Sequence, residues 1–230
     1  MNIAIIGYGK MGQGLTSLMP NNWTLKFKCD IDNPLEILKK EELSDIDLFF
    51  EFTEPGVSKN NIKFICEAKK GAKIVSGTTG WNVAEVRDTV VKSSSMLLHS
   101  ANFSLGIAAI NNVLGTLSAS LNKNNGFGIS LTEYHHKNKK DSPSGTAKLL
   151  AATIEKQGKS CPITSIREGE YPGIHIVQFK SEFETIEVKH EVSSRKVFCA
   201  GALLSAQWLL KQKEPGLYNF TDVISKIQEI

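Results

Sequence analysis

The feature that most constrains the fold lies at the start of the sequence, where a short apolar run leads directly into a glycine-rich turn. Residues 2–7 are apolar and rich in β-branched side chains, which indicates a buried strand of a parallel sheet. The run continues as Gly7-x-Gly9-x-x-Gly12, and apolar positions at helical spacing follow until Pro20. A strand, this glycine pattern and a helix in that order are typical of a fold that binds a dinucleotide.

Each glycine has a mechanical role in such a turn. Gly7 permits the tight turn, Gly9 lets the backbone approach a pyrophosphate, and Gly12 lets the helix pack closely on the strand. A second predicted strand covers residues 23–29 and ends at Asp30, near the spacing at which an acid accepts hydrogen bonds from ribose hydroxyls. A plain tight turn is the alternative for the glycines alone, but the acid at this distance favours a dinucleotide.

Strand-like and helix-like segments then alternate as far as residue 103. Strands are predicted over residues 47–53, 72–75 and 96–99, with helices over 58–70 and 83–91 between them. This alternation predicts an α/β fold with a Rossmann-type, doubly wound parallel sheet, in which ligands lie beyond the carboxyl ends of the strands. Each such end could be an ordinary turn, but together they predict contacts to a dinucleotide from Phe52, Thr53, Gly77, Thr78, Thr79, Ala101, Asn102 and Phe103.

Beyond residue 103 the regular alternation stops. Helices predicted over 105–121, 148–156 and 197–210 are mixed with strands over 127–134, 163–167, 174–179 and 183–192. We predict a second α+β domain with a mixed, largely antiparallel sheet, which covers residues 104–205 and serves substrate binding and oligomerisation. The dinucleotide-binding domain then covers residues 1–103 and is completed by residues 206–230, including a tail over 216–224 that returns to it.

The last predicted strand places Ile186, Val188, His190 and Val192 on one face. Because its neighbours on this face are apolar, we interpret His190 as a core histidine and not as a catalytic one. A bare sheet face in this domain would need a cover, which favours contact between copies of the chain.

The densest group of chemically active side chains is residues 133–147, with the sequence Glu-Tyr-His-His-Lys-Asn-Lys-Lys-Asp-Ser-Pro-Ser-Gly-Thr-Ala. A helical pattern begins near its end, so the backbone N–H groups of Ser144, Gly145 and Thr146 are predicted at a helix N-terminus, which attracts anions. Clustered lysines, this anion site and a titratable histidine together indicate that a small polyanionic substrate is held and protonated here.

Two other interpretations of this stretch are a solvated charged loop and a metal site. Adjacent residues of a strand point to opposite faces, so His135 and His136 are poorly placed to bind one ion together. Because no cysteine or third histidine lies nearby in the sequence, we predict no metal site. The solvated loop stays open on local chemistry alone.

Composition excludes several classes of protein. A net charge of +3 over 230 residues is far from the strongly basic profile of a nucleic-acid-binding protein. Apolar runs stay well short of the roughly 20 residues that a membrane span needs, and the N-terminus does not read as a signal peptide. The four cysteines are widely separated, which is typical of reduced thiols in the cytoplasm. We therefore expect a cytoplasmic protein with no nucleic-acid or membrane partner.

The stretch from Glu133 to Ala147 also resembles the signature of a known family. Read as Glu-x-His-His-x-x-Lys-x-Asp-x-Pro-Ser-Gly-Thr-Ala, it is similar to that of the 4-hydroxy-tetrahydrodipicolinate reductases, formerly dihydrodipicolinate reductases, of lysine and diaminopimelate biosynthesis. Shorter segments resemble the same family in order and spacing, so that the resemblance runs from Met1 to Val223. These segments are residues 7–12, 52–53, 77–80, 101–104 and 193–195.

The resemblance implies a homotetrameric enzyme that uses NADH, NADPH or both. Hydride is expected at ring C4 of a dicarboxylate substrate after loss of water, followed by protonation of the resulting enamine. His135 matches the family's proton donor and Lys139 its partner in acid catalysis. Positions that match the family's substrate site are His136, Gly145 and Thr146, and those that match its cofactor site are Gly7, Gly9, Lys10, Met11, Gly12, Asp30, Gly77, Thr78, Thr79, Ser100, Ala101, Asn102 and Phe103.

Two residues bear on the choice of cofactor. Lys10 stands where many members of the family have an arginine, the natural partner of the 2′-phosphate of NADPH, and lysine is a weaker, non-bidentate substitute. Asp30 favours the free ribose of NADH. We therefore expect the enzyme to use both cofactors.

The neighbouring lysines bear on the proton donor. Lys137, Lys139 and Lys140 by themselves oppose protonation of His135, although an ordinary histidine pKa of about 6.5 suits the transfer of a proton near neutral pH. A doubly negative substrate would offset them, so we expect His135 to gain its charge mainly in the complex.

Two rival functions start from the same glycine motif. Another two-domain dehydrogenase would explain the first half of the chain equally well but leaves residues 133–147 unexplained. A dinucleotide-sensing regulator without catalysis would call for a basic recognition helix, which the sequence does not contain.

Overall fold

The computed structural model describes the chain except residues 31–35, 37, 40–41, 123–125 and 227–230. The strands are β1 (Asn2–Ile6), β2 (Thr24–Cys29), β3 (Leu48–Glu51), β4 (Lys73–Ser76), β5 (Met96–His99), β6 (Gly128–His135), β7 (Ile163–Arg167), β8 (Ile174–Lys180), β9 (Thr185–Glu191) and β10 (Gly216–Asn219). The helices are α1 (Lys10–Leu18), α2 (Pro55–Ala68), α3 (Arg87–Lys92), α4 (Leu105–Asn122), α5 (Gly145–Glu155), α6 (Lys196–Lys211) and α7 (Phe220–Ser225), with a 3₁₀ turn over Val83–Val86. Among the described residues, no helix has both the length and the apolar character that a membrane span requires.

The chain divides into two compact units. Unit 1 comprises Met1–Phe103 together with Lys196–Ile230, and unit 2 comprises Ser104–Arg195. The predicted end of the second domain, residue 205, falls inside α6, whereas the structure assigns the whole of this helix to unit 1. The apolar pattern of a helix cannot show which sheet it covers, so the position of this boundary depended on packing.

Two contacts show why α6 belongs to unit 1. The ammonium group of Lys73 in β4 donates to the carbonyl of Leu210 at 2.6 Å. In the N-terminal half of the helix, a Cβ on Gly201 would lie 1.8 Å from the carbonyl oxygen of Phe103, so only glycine permits this close approach. The helix is therefore held against unit 1 in both of its halves.

Unit 1 is built on a parallel sheet. Its strands lie in the order β10, β5, β4, β3, β1, β2, and every pairing is parallel. The strand order reverses at β1, because β2 lies on one side of it and β3 on the other. The carboxyl ends of β1 and β3 therefore form a topological switch point, where such folds bind ligands. This topology confirms the predicted Rossmann-type, doubly wound sheet.

Local sequence explains most of this unit. All four residues of β3 are buried, as expected for a parallel strand covered on both faces. Helix α2 begins at Pro55 and not at residue 58 as predicted, because proline is well suited to the first helical position, where its missing N–H has no partner to lose. Asn219 and Asp222 form a capping box at the start of α7.

The C-terminal segment completes the sheet of unit 1. The sequence predicts that residues 216–224 return to the first domain as a short tail with a final helical turn. In the structure the start of this tail is β10, which pairs with β5 from Gly216 opposite Met96 to Asn219 opposite His99. So short a strand at a sheet edge gives little local signal, because its extended form is fixed by the partner strand.

Unit 2 contains the second predicted sheet, with strands in the order β7, β6, β8, β9. β6 pairs antiparallel with β8, as does β8 with β9, whereas β6 and β7 are parallel. This confirms the predicted mixed, largely antiparallel sheet. Its core joins Leu131 of β6 to Leu114 of α4 and Leu150 of α5, and Ile186 and Val188 of β9 pack against the same core.

Candidate functional site

The glycine turn after β1 combines close packing with open space. Gly7 has a φ of 91°, and a Cβ there would lie 2.2 Å from the carbonyl oxygen of Phe52. A Cβ on Gly12 would lie 2.7 Å from the carbonyl oxygen of Gly7. By contrast, a Cβ on Gly9 would meet no atom within 4 Å. Gly7 and Gly12 therefore serve packing, while Gly9 borders open space where a ligand can approach the backbone.

The N-terminus of α1 is suited to an anion. Its N-cap residue Gly9 makes no side-chain hydrogen bond, and no acidic residue lies in its first turn. The first N–H groups of a helix lack intrahelical partners and carry the positive end of its dipole. The N–H groups of Gly7 and Tyr8 donate to the carbonyl of Cys29 at 2.9 and 3.0 Å, which holds the end of β2, and Asp30 after it, beside the turn. These features fit the pyrophosphate and ribose of a dinucleotide.

Three strand ends of unit 1 meet around Phe52. A Cβ on Gly77 would lie 2.2 Å from the Phe52 ring, and the centroid of the Phe103 ring lies 6.1 Å from that of Phe52. The backbone N–H of Thr53 donates to the hydroxyl of Thr78 at 2.9 Å. The structure therefore brings together the segments after β3, β4 and β5 that the sequence predicts at the cofactor.

The other residues predicted at the cofactor surround these contacts. The hydroxyl of Ser100 donates to the carbonyl of Asn102 at 2.6 Å, which shapes the turn after β5. Exposed members of the set are Lys10, Asp30, Thr79 and Ala101, and partly buried ones are Gly9, Met11, Phe52, Thr53, Gly77, Ser100 and Asn102. All of these residues lie in unit 1, at or just beyond the carboxyl ends of its strands, and their contacts to a cofactor stay predictions.

The second group of predicted residues is organised by Glu133, a fully buried residue of β6. Its Oε1 accepts hydrogen bonds from the backbone N–H of Ser144 at 2.9 Å, the hydroxyl of Ser165 at 2.8 Å and the guanidinium of Arg167 at 2.8 Å. Burial would raise the pKa of Glu133, but the bonds from Ser144, Arg167 and Ser165 outweigh it and lower the pKa to about 2. The side chain is therefore a carboxylate throughout the physiological range.

Two histidines face the other oxygen of this carboxylate. Nδ1 of His135 lies 3.4 Å from Oε2 of Glu133, and Nε2 of His175 lies 3.7 Å from it. The two imidazole rings meet edge to face, with centroids 5.3 Å apart. Oε2 of Glu133 and Nδ1 of His135 have no hydrogen-bond partner among the described residues. A proton on Nδ1 would supply the donor that this buried oxygen lacks.

Both buried histidines are neutral near pH 7. Burial is the main cause that lowers the pKa of His135 to about 4; Glu133 opposes it, while Lys139 and Arg167 lower the pKa further. Burial likewise lowers the pKa of His175 to about 4, with a smaller effect from His135. The opposition of Lys139 to a charge on His135 is predicted from the sequence, but the larger effect of burial depends on the fold.

Three residues that reach Glu133 through the register of the sheet were not predicted from the sequence: His175, Ser165 and Arg167. Glu133 lies opposite His175 across the β6–β8 pair and opposite Ser165 across the β6–β7 pair. Residues paired in this way project on the same face. The one local signal was a histidine within the apolar strand β8. His190 lies beside it, half-buried, with ring centroids 6.4 Å apart, and its interpretation as a core histidine stays a prediction.

Ser144, which the sequence predicts at the substrate site, is bonded within the protein, and its contact with a substrate stays a prediction. Its backbone N–H donates to Glu133, so this donor is not available to a substrate carboxylate. Its hydroxyl accepts from the N–H of Ala147 at 3.1 Å as the N-cap of α5 and lies 3.3 Å from Nε2 of His175. A buried carboxylate binds the nearest helix N-terminus more strongly than a solvated anion would, and Ser144 therefore belongs to the Glu133 network.

A carboxylate of the protein itself lies at the predicted anion site. Nζ of Lys139 lies 2.6 Å from Oδ1 of Asp141. Burial would raise the pKa of Asp141, but Lys139 and the backbone N–H of Gly145 outweigh it and lower the pKa. Asp141 therefore marks a position between an ammonium group and the N-terminus of α5 where an anion is stabilised.

His136 lies apart from its neighbour His135. It is half-exposed whereas His135 is buried, as the alternation of side chains along a strand requires. The guanidinium of Arg195 donates to Nε2 of His136 at 3.2 Å. This pair forms a second polar position with a positive charge on the surface of unit 2.

The buried histidines also raise the question of a metal ion. Glu133, His135 and His175 each offer one ligand atom, and these atoms lie within 4.8 Å of one another. No third histidine lies near the pair in the sequence, but β8 brings His175 to this place. Arg167 bonds directly to Glu133, and the positive charges of Arg167 and Lys139 both lower the pKa of His135. These charges disfavour a divalent cation here, and the predicted lack of a metal site stays a prediction.

Comparisons with known proteins agree over the whole chain. A family model described as dihydrodipicolinate reductase, N-terminus, matches residues 1–103, and one described as dihydrodipicolinate reductase, C-terminus, matches residues 106–224. The chain is 32% identical to a 4-hydroxy-tetrahydrodipicolinate reductase of Christiangramia forsetii over 99% of both chains. It is 34% identical to a protein of the same name from Thermosipho africanus, over 98% of this chain and 99% of the relative.

A solved structure has the same fold. Dipicolinate-bound dihydrodipicolinate reductase from Paenisporosarcina sp. TG-14 superposes with a TM-score of 0.73 at 19% identity. The alignment covers 95% of this chain and 97% of that one. The likeness therefore extends through both units.

Proposed function

Because the chain belongs to the dihydrodipicolinate reductase family, we propose that it is a 4-hydroxy-tetrahydrodipicolinate reductase of lysine and diaminopimelate biosynthesis. The reaction converts (2S,4S)-4-hydroxy-2,3,4,5-tetrahydrodipicolinate, NAD(P)H and a proton into tetrahydrodipicolinate, NAD(P)⁺ and water. The observation that carries this proposal is the buried network of Glu133, His135 and His175 beside the N-terminus of α5.

The substrate is a dicarboxylate, and unit 2 offers two positions for its carboxylates. One lies between Lys139 and the N-terminus of α5 at Gly145 and Thr146, where the carboxylate of Asp141 now sits. The side chain of Asp141 is 54% exposed, so it is free to swing into water when a substrate carboxylate takes its place. The other position is at His136 and Arg195. Charge-assisted hydrogen bonds to carboxylates of this kind are the strong ones.

His135 is the proposed proton donor to the ring after hydride addition. Near pH 7 its imidazole is neutral, because burial lowers its pKa to about 4. A dianionic substrate raises this pKa by direct attraction, and Glu133 stabilises the resulting imidazolium at Nδ1. Lys139 assists by binding the substrate carboxylate, which removes part of the positive field that opposes protonation of His135. The acid is thus charged when the substrate is present.

The nicotinamide cofactor supplies the hydride when bound. Gly9 would leave room for its pyrophosphate at the N-terminus of α1, while Gly7 and Gly12 hold the turn and the helix close to β1 and Met11 lies in the first turn of that helix. Asp30 accepts hydrogen bonds from the adenosine ribose of NADH, and Lys10 offers a cation to the 2′-phosphate of NADPH. The nicotinamide half is assigned to Phe52, Thr53, Gly77, Thr78, Thr79, Ser100, Ala101, Asn102 and Phe103.

We also propose a homotetramer formed through the sheet of unit 2, and a cytoplasmic location. Along β9, Thr185, Glu187 and Lys189 are exposed on the face opposite the core, which leaves this face open to a second copy. None of the four cysteines forms a disulfide, in keeping with a reducing compartment. Light scattering of the purified protein tests the assembly, and a monomer at micromolar concentration would contradict it.

An absorbance assay tests the proposed activity. Oxidation of NADH and of NADPH is followed with freshly made product of the preceding synthase, and Michaelis constants for the two cofactors are measured in the same assay. We expect turnover with both. Reduction of a sugar or semialdehyde in place of this substrate would favour another dehydrogenase, and dinucleotide binding without any turnover would favour a regulator.

A further inference from the structure

Unit 1 buries a carboxylate that the proposed mechanism does not use. Glu51 is the last residue of β3 and is fully buried, with Ile6 of β1 and Ser76 of β4 opposite it in the sheet. Among the residues that the structure describes, no lysine, arginine or histidine lies within ion-pair distance of it; its side-chain bonds are to hydroxyls and one backbone N–H.

Hydroxyl groups donate hydrogen bonds to both carboxylate oxygens of Glu51. Its Oε2 accepts from Ser58 of α2 at 2.7 Å, from Ser76 at 2.7 Å and from Thr78 at 3.0 Å. Its Oε1 accepts from the hydroxyl of Thr53 and from the backbone N–H of Thr53 at 3.3 Å. Donors therefore come from the helix α2, from the end of β4 and from the segment after β3.

This arrangement ties two cofactor segments to one side chain. Thr53 and Thr78 bond to different oxygens of the same carboxylate, and the N–H of Thr53 also donates to the hydroxyl of Thr78 at 2.9 Å. Phe52 and Gly77, one residue before each threonine, are in direct contact. The relative position of the segments after β3 and β4 thus depends on Glu51.

Stability of the fold does not by itself call for a charge at this position. Removing a carboxylate from water is costly, and apolar residues of similar volume often stabilise a core as well or better. A buried polar network in which every member is hydrogen-bonded holds its neighbours rigidly in one arrangement. We propose that Glu51 is a positioning residue for the nicotinamide half of the cofactor, because it fixes the strand ends that carry Phe52, Thr53, Gly77 and Thr78. This inference rests on the dinucleotide site of the proposed function.

Glu51→Gln tests the proposal by direct binding, without turnover. The dissociation constants of NADH and of adenosine 5′-diphosphoribose, which lacks the nicotinamide, are measured by calorimetry together with the melting temperature. We expect NADH to bind about tenfold or more weakly, the scale of one lost hydrogen bond to a charged group. Adenosine 5′-diphosphoribose, which needs only the glycine turn and Asp30, should bind within about twofold of wild type, since it makes none of the affected contacts.

Ser58→Ala is the matched control. It removes a donor to the same carboxylate from α2 and leaves both cofactor segments intact, so it should lower the melting temperature without changing the ratio of the two affinities. If Glu51→Gln behaves in the same way, Glu51 serves stability alone and the proposal is wrong. If both ligands weaken equally, the damage is general and the proposal is likewise wrong. Wild-type protein that binds neither ligand would instead reject the proposed function.

A second pair of variants keeps the test valid if Glu51→Gln does not fold. Thr78→Ser retains the hydroxyl between Glu51 and Thr53, and Thr78→Val removes it at nearly constant shape. We expect the valine variant to lose affinity for NADH severalfold relative to the serine variant, with equal affinity for adenosine 5′-diphosphoribose. Equal NADH affinity in the two variants would show that the hydroxyl of Thr78 does not position the cofactor segments, and the proposal would be wrong.

Discussion

Glu51 of unit 1 and Glu133 of unit 2, the buried carboxylates among the residues that the structure describes, both lie near the end of a strand but have different kinds of partner. Around Glu51 of unit 1 the side-chain donors are the hydroxyls of serines and threonines. Around Glu133 of unit 2 they are a guanidinium and a hydroxyl, with two histidines at the other oxygen. Hydroxyls do not titrate near neutral pH, whereas histidines do. The first network is suited to hold a geometry, and the second is suited to respond to a proton.

His135→Gln should have the largest effect, because it removes the group through which the Glu133 network acts on a substrate. We expect kcat to fall by about 10² or more, the usual scale for a lost general acid. Affinity for NADH, measured by calorimetry, should not change. Unchanged turnover would show that His135 is not the proton donor. The proposed functional difference between the Glu51 and Glu133 networks would then be wrong as well.

Glu133→Gln and Glu51→Gln form a direct comparison of the two carboxylates. Glu133 raises the pKa of His135 against the effect of burial, so its loss should lower kcat by about 10- to 100-fold. Turnover that depends on protonated His135 declines as pH rises through its pKa in the complex, and in Glu133→Gln this decline should begin at lower pH. Glu51→Gln should weaken NADH binding but leave the midpoint of the pH profile where it is.

The same pH profile in Glu133→Gln and Glu51→Gln would contradict the proposed difference between the two networks. If the midpoint moves in neither variant, Glu133 has only a structural role. If it moves equally in both, the two networks are coupled and cannot be assigned separate tasks. Arg167→Lys provides a milder check, since it keeps the charge beside Glu133 but loses the planar donor geometry.

Lys139→Ala should have a smaller effect, about tenfold on both KM for the substrate and kcat. Pyridine-2,6-dicarboxylate, a planar mimic of the product, should inhibit this variant more weakly than wild type. Asp141→Asn is the informative partner, because it removes the carboxylate that competes for the same position, and it should bind the inhibitor at least as well as wild type. Equal inhibition of wild type and Lys139→Ala would show that the anion lies elsewhere.

Stability should depend on pH through the unit 2 network. The folded protein holds His135 and His175 at a pKa of about 4, below the ordinary 6.5, so an unfolded chain takes up protons that the folded one excludes. Their contribution is complete above pH 6.5 and is lost as pH falls toward 4, and that of Glu133 is lost between its ordinary 4.5 and about 2. We expect the free energy of unfolding in urea to fall by a few kcal/mol between pH 7 and 4, with a shallower slope in His135→Gln. A flat curve would show that both histidines are solvated.

The smallest effect is expected from removal of metal ions. If the positive charges near Glu133 exclude a divalent cation, prolonged dialysis against a chelator should leave both kcat and melting temperature unchanged. Loss of activity that zinc restores would establish Glu133, His135 and His175 as a metal site and would end their interpretation as a proton-handling network.

The glycine turn shows which structural features can be predicted from residues that are close together in the sequence. Gly7, Gly9 and Gly12 follow a run of buried residues, and the close packing at Gly7 and Gly12 agrees with the roles predicted from spacing. The open space at Gly9 leaves its contact with a pyrophosphate as a prediction. Such features depend on residues close together in the chain, where sterics alone fix the backbone. Ser144 shows the limit of such prediction: its place at the start of α5 was predicted correctly, but the bond from its N–H to Glu133 was not, because the two residues meet only in the folded chain.

The sequence by itself determined the Rossmann-type fold, the family and the segment that carries His135 and Lys139. Each of these can be recognised from residues that lie close together along the chain. Only the tertiary structure decided that His175, Ser165 and Arg167 complete the surroundings of Glu133, that α6 belongs to unit 1, and that Glu51 joins two strand ends. These depend on which strands pair and in what register, and pairing is settled by the packing of distant segments, which no local pattern encodes.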